Sequence, residues 1–219
     1  MSHLEIYGVE SSPFVRKTLV LLEEKSLSWQ LHEINVFDPP TWFLEISPAK
    51  RIPVLRVGDY TLPDSSAICG YLEKAYPEPP LYPQDAEQLG QALWLEEYAD
   101  TVLAAKIGFG LLRTLISAPR MGQPPDLDRA RKAISEDLPP VFDYLESVIN
   151  GTYAVGESFT IADIALVSQL AGLVVTRVEL DAQHWPKLAG YMNHILCRDS
   201  FQARLAAIVQ LMPAEPFLL

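Results

Sequence analysis

The chain has 219 residues, 49% of them hydrophobic and 21% charged, with a formal net charge of −11. That length suits two small domains, the apolar fraction supports packed cores rather than global disorder, and the acidity disfavours broad nucleic-acid binding, which needs a basic face. No apolar run reaches the roughly 20 residues of a membrane span, and the start from Met1 to Tyr7 lacks the basic and apolar regions of a signal peptide.

The charge is uneven. Residues 1–77 carry 7 basic and 10 acidic side chains, a balance of −3, which leaves −8 for the remainder. An anionic ligand would therefore find its positive charge in the first half, from Arg16, Lys17, Lys50 and Arg51. Cys69 and Cys197 lie in opposite halves and form no C-x-x-C. Neither a disulfide framework nor a cysteine metal site is expected, and a reducing, cytoplasmic location is.

In chain order, His3 to Gly8 alternates and stops at a glycine, a first strand. Ser11-Ser12-Pro13 is a serine cap with proline at the first helical position, and the apolar run after it predicts a helix to about Lys25-Ser26. Ser28 to Ile34 alternates again. Pro39-Pro40 opens a short segment with Trp42, Phe43 and Ile46 that we expect to be irregular. Pro53 to Val57, the turn Gly58-Asp59 and Tyr60 to Leu62 form a hairpin signal. A helix capped by Asp64 or Ser65 then runs to about Tyr76, giving the order β-α-β-α-β-β-α.

Pro77-Glu78-Pro79-Pro80 reads as a linker. Beyond it no strand pattern is convincing. Helical stretches are predicted over Asp85 to about Ser117, with Gly108 and Gly110 as weak points, and over Asp126 to Ile149, kinked at Pro139-Pro140. Further helices are predicted over Ile161 to Thr176, Pro186 to Leu196 and Ser200 to Leu211. The expected domains are 1–78, α/β, and 86–219, all-α.

Three motifs carry chemistry. In Ser11-Ser12-Pro13-Phe14 a hydroxyl stands at a helix N-terminus, where it can donate to a thiolate that the helix dipole also favours. Lowering a thiol pKa by about two units requires roughly 2.7 kcal/mol of preferential thiolate stabilisation, which a hydroxyl, a helix end and Arg16 could share. The same residues also suit plain capping. In Arg51-Ile52-Pro53-Val54-Leu55 a cis Ile52-Pro53 bond would leave the Ile52 backbone available to an added peptide strand; an ordinary trans proline is the other reading. In Leu62-Pro63-Asp64-Ser65-Ser66 a carboxylate and a hydroxyl at a helix start could take an α-ammonium and an α-carboxylate, or simply cap the helix.

At this order and spacing the three motifs resemble the glutathione transferase superfamily, over essentially the whole chain. The resemblance implies a thioredoxin-like N-terminal domain, an all-helical C-terminal domain and glutathione as co-substrate without a metal. The Ser-Pro-Phe run looks most like the serine-type classes of plants and bacteria. Carried over, Ser12 is the hydroxyl that stabilises the thiolate, with Ser11 as the alternative. Ile52, beside Pro53, pairs with the cysteinyl backbone. Asp64 and Ser65 hold the γ-glutamyl end, and Arg51 or Lys50 lies near the glycyl carboxylate. Ser47-Pro48-Ala49-Lys50 departs from the family's Asn-Pro-x-Gly, and Asp64 is shorter than the common Glu.

The resemblance also implies a homodimer and a small hydrophobic electrophile, with no nucleic acid or membrane as partner. Val9, Phe14, Tyr98, Val102, Lys106 and Phe109 would line the electrophile's pocket. Asp100 would either reach a partner subunit's glutathione or belong to a solvated acidic face. Gly156 to Asp163 matches the family's capping box, a folding element in which Thr160 caps and Asp163 bonds back. Three functions follow: conjugation by thiol transfer, a glutathione-dependent isomerase or peroxidase/reductase activity, and ligand binding or regulation without catalysis.

Overall fold

In the computed structural model of this protein, residues 3–209, 212–213 and 217 are described. The predicted end of the last helix at Leu211 lies outside them. The chain divides into two units, Met1–Leu81 and Tyr82–Leu219, at a point between the two domains expected from the sequence.

In the first unit, β1 (Leu4–Gly8), α1 (Pro13–Glu24), β2 (Trp29–Glu33), α2 (Thr41–Ile46), β3 (Val54–Val57), β4 (Tyr60–Pro63) and α3 (Ser65–Ala75) follow one another. The four strands form one sheet in the order β2-β1-β3-β4. β1 pairs parallel with β2 and antiparallel with β3, and β3 pairs antiparallel with β4 around a turn where Gly58 takes a φ of 62°. Alternation along β1 separates the two faces. Helices α1 and α3 pack against each other, burying Val15, Leu19, Leu22, Ile68 and Leu72. Phe43 of α2 joins Tyr7, Ile34 and Val54 in a second cluster, with Ile46 and Ile52 against it. Burying each such side chain is worth about 1.5–3 kcal/mol. The segment expected to be irregular is thus a short helix, held by Phe43.

The linker is clasped rather than loose. Lys25, its side chain fully buried, pairs with Glu73 at 2.7 Å and donates to the carbonyls of Tyr76 at 2.8 Å and Pro79 at 2.7 Å. Glu73 in turn accepts from the Leu81 amide at 3.2 and 3.3 Å.

The second unit is helical: α4 (Ala86–Tyr98), α5 (Ala118–Arg120), α6 (Leu127–Lys132), α7 (Pro139–Val148), α8 (Ile161–Thr176), α9 (Pro186–Leu196) and α10 (Asp199–Ala207). Between α4 and α5 the backbone does not break. Residues Ala99–Ser117 are wound in the wider π form, ending where the Ala118 amide bonds back five residues to Arg113. A similar stretch, Ala133–Asp137, extends α6, and the helix restarts at Pro139 as the proline pair predicts. By length and composition Ala86–Arg120 could cross a membrane, with a mean hydropathy of 1.4 in its most apolar window, of which 44% is buried inside the protein. Asp100, Lys106 and Arg113 interrupt it, so it contains no unbroken apolar run.

The backbone runs unbroken through Gly108 and Gly110, within the π-wound stretch. A Cβ on Gly110 would stand 2.8 Å from Ala133 Cβ, and one on Gly172 of α8 would stand 2.5 Å from Ile107 Cγ2. Both glycines permit close helix approach. At the start of α8, Asp163 accepts from the amides of Ala154 at 2.7 Å and Thr160 at 2.8 Å and from the Tyr191 hydroxyl at 2.9 Å, completing the expected capping box.

Candidate active site

The first turn begins where β1 ends. The Ser12 amide donates to Val9 at 3.0 Å, closing the turn, and Ser12 is the N-cap of α1 with Pro13 as its first helical residue. Ser12 Oγ accepts from the Val15 amide at 3.5 Å. That loose cap uses a lone pair and keeps the hydroxyl proton for donation, beside the positive end of a helix of 12 residues. Ser11 lies one residue earlier in the turn, half-buried.

The Ile52-Pro53 bond is cis. The antiparallel ladder ends with Tyr7 opposite Val54, so Ile52 lies beyond the last paired residue. A Cβ placed on Gly8 would stand 2.5 Å from Val15 Cγ2 and 3.6 Å from Ile52 Cβ. The first turn of α1 and the residue before the cis-proline therefore meet across Gly8, an organising residue that the sequence reading passed over. A glycine closing a strand beside a helix start is the signal that could have found it.

The loop before Pro53 is closed by one buried hydroxyl. Ser47 Oγ donates to the Arg51 carbonyl at 2.7 Å and accepts from the Arg51 amide at 3.0 Å. This accommodates Ser47-Pro48-Ala49-Lys50 and leaves Lys50 and Arg51 exposed.

Asp64, not Ser65, caps α3. Its Oδ1 accepts from the amides of Ser66 and Ala67, each at 3.0 Å. Ser65 is buried at 4% exposure. Among the described residues four non-glycines have a left-handed φ, and two of them are Lys50 at 54° and Asp64 at 81°. Uncommon backbone geometry concentrates at ligand-holding positions. Motif three is tied to α1 by Lys17, whose Nζ donates to Ser66 Oγ at 2.8 Å across 49 residues of sequence.

Arg16 and Lys17, expected as positive charge for an anionic ligand, are buried side chains of α1. Burial pulls the Arg16 guanidinium down to about 10 from its usual value, opposed by the nearby Glu10 carboxylate. Of the four cations named from the sequence, Lys50 and Arg51 are exposed.

Of the residues expected at the electrophile's pocket, Val9 and Phe14 flank the first turn, both half-buried. The others belong to the second unit. Tyr98 packs at a tilt against Trp94 and Tyr144, with ring centroids 5.9 and 4.7 Å away, and burial raises its phenol pKa. Val102 is half-buried. Lys106 is engaged in an ion pair with Asp137 at 3.1 Å, and Phe109 is 59% exposed with the Arg113 guanidinium 6.0 Å from its ring. Asp100 is half-buried rather than fully solvated. Among the described residues no group of three or more His, Cys, Asp or Glu is placed to hold a metal ion.

The first unit is a thioredoxin-like domain and the second is all-helical. Comparison with known proteins gives the family. The glutathione S-transferase N-terminal domain matches residues 6–80, and the glutathione S-transferase C-terminal domain matches residues 103–199. The chain belongs to the glutathione S-transferase superfamily of enzymes. It is similar to glutathione S-transferase DHAR2 of Arabidopsis thaliana, 29% identical over 195 residues, 87% of this chain and 82% of that protein. It is also similar to glutathione S-transferase omega-1 of Rattus norvegicus, 27% identical over 194 residues, 86% and 75% of the two chains. The solved structure of a glutathione S-transferase from Rhodospirillum rubrum F11 matches with a TM-score of 0.83 at 26% identity, covering 92% of this chain and 91% of that one.

Proposed function

We propose that this chain is a serine-type glutathione transferase that adds the glutathione thiolate to an electrophilic carbon of a small apolar compound. The observation that carries the reading is Ser12 at the N-cap of α1, its oxygen accepting from Val15 and its proton available to a sulfur. The bound thiol gives up its proton to solvent. The thiolate is held by the Ser12 O–H and the helix end, and its electron pair forms the new carbon–sulfur bond. Where the electrophile carries a leaving group, that group departs with the electrons of its bond to carbon.

The remaining residues hold the peptide. Ile52 pairs with the cysteinyl backbone by strand addition. Asp64 takes the α-ammonium, Ser65 and the α3 amides take the α-carboxylate, and Arg51 or Lys50 takes the glycyl carboxylate. An isomerase acting on a dicarboxylic substrate would need cations for its carboxylates. Of Arg16, Lys106 and Arg113, the first is buried and the second is paired with Asp137, which favours conjugation. We take the working form to be a homodimer, for which sedimentation is the direct check, and its location to be cytoplasmic, for which fractionation is.

Ser12→Ala should lower kcat at neutral pH about tenfold to a hundredfold, while the KM for glutathione changes less than about threefold. The bound thiol should then titrate near its ordinary value of about 8.5. An unchanged rate, with Ser11→Ala inactive, would transfer the role to Ser11. Product stoichiometry separates the chemistries, since isomerisation returns glutathione intact. Absence of binding heat at millimolar glutathione would favour a non-catalytic protein.

A further inference from the structure

The γ-glutamyl end of the candidate site has an electrostatic shortfall. Asp64 already occupies the amides of Ser66 and Ala67, and its negative charge opposes the positive end of α3. A ligand carboxylate arriving at the same helix end would share two donors already in use and face a like charge. Lys50 and Arg51 belong to the loop of the second motif, ahead of Pro53. A further cation is nevertheless present. Lys17 is 1% exposed, and its ammonium reaches from α1 to Ser66 Oγ at 2.8 Å, in the first turn of α3.

We propose that Lys17 is the positioning residue for the ligand's α-carboxylate. It offsets Asp64 from beneath the helix end, so that carboxylate and ammonium of one amino-acid terminus can be held side by side. Its bond to Ser66 also fixes the α3 terminus against α1, the helix that carries Ser12. Ser66, through this tether, belongs to the same arrangement. The inference rests on the glutathione site proposed above.

The test is calorimetric titration of full-length wild type, Lys17→Met, Lys17→Arg and Ser66→Ala. Two ligands are used: glutathione, and an analogue whose γ-glutamyl α-carboxylate is a carboxamide. We expect Lys17→Met to weaken glutathione about tenfold, equivalent to ~1.4 kcal/mol. It should leave the carboxamide analogue within twofold of its wild-type affinity, and Lys17→Arg should restore most of the difference. With an apolar electrophile, KM for glutathione should rise while kcat at saturation stays within about twofold. If Lys17→Met does not fold, Ser66→Ala must still weaken glutathione selectively, by twofold to threefold. Equal weakening of both ligands, or no effect on either, would overturn the proposal. Failure of wild type to bind glutathione would be seen before any variant is compared, and it would overturn the site itself.

Discussion

Gly8 shows what one missing carbon does. Its hydrogen faces Val15, and the methyl group of alanine there would overlap Val15 Cγ2 at 2.5 Å and press toward Ile52. Val15 is fully buried, so relief requires shifting α1 or the loop before Pro53. Gly8→Ala should therefore cost about 1–3 kcal/mol, as overpacking does, and should weaken glutathione binding more than a remote core substitution of equal cost. Urea unfolding alongside titration checks both, and a stability change under about 0.5 kcal/mol would refute the first. Ser12, the Ile52-Pro53 bond and Asp64 were legible in the sequence because caps and prolines act on their immediate neighbours. Gly8 and Ser47 were not read as site builders, and Lys17 was read only as one source of positive charge for an anionic ligand. Two of them work through residues far along the chain, and the third through a loop whose path the sequence leaves open.

Among the elements, the strands, the hairpin and most helices follow from alternation, turn residues and caps, which are short-range. The segment around α2 carries too few residues for a periodic signal, and its helix depends on Phe43 reaching Tyr7 and Val54. The π winding of Ala99–Ser117 likewise has no signature that we read in its sequence. The clasp on the linker is an interaction over about fifty residues. All three ammonium hydrogens of Lys25 have partners in Glu73, Tyr76 and Pro79. Lys25→Met would leave a carboxylate and two carbonyls without their shared donor. Breaking a buried pair costs about 3–5 kcal/mol, so the first unit should unfold at markedly lower urea; a loss below about 1 kcal/mol would show that the clasp is dispensable.

For the molecule as a whole, one alkaline contribution to pH dependence comes from a buried pair in the second unit. Burial, and next the Asp163 charge, push the Tyr191 phenol well above its ordinary value. Burial also raises the Asp163 carboxyl, against the hydrogen bonds that favour its charged form. The folded protein keeps a Tyr191 proton that the unfolded chain releases above pH of about 10. The stability from this group is complete below that pH and is lost as pH rises above it. Tyr191→Phe should cost about 1–3 kcal/mol at neutral pH by removing a donor from Asp163, and it should flatten the alkaline decline. Urea midpoints at neutral pH and above pH of about 10 test this, and an alkaline slope identical in both proteins would count against it. The close approaches at Gly110 and Gly172 act at the same scale. Ile107 enters the notch left by Gly172, and Ala133 enters the notch left by Gly110, so the long helix is keyed at two neighbouring points of its buried side. Turning or sliding it would eject one key. Evolutionary tinkering along this helix is consequently channelled to its outward row, Thr101, Ala105, Phe109 and Arg113, where side chains can be exchanged while the rail beneath them stays put.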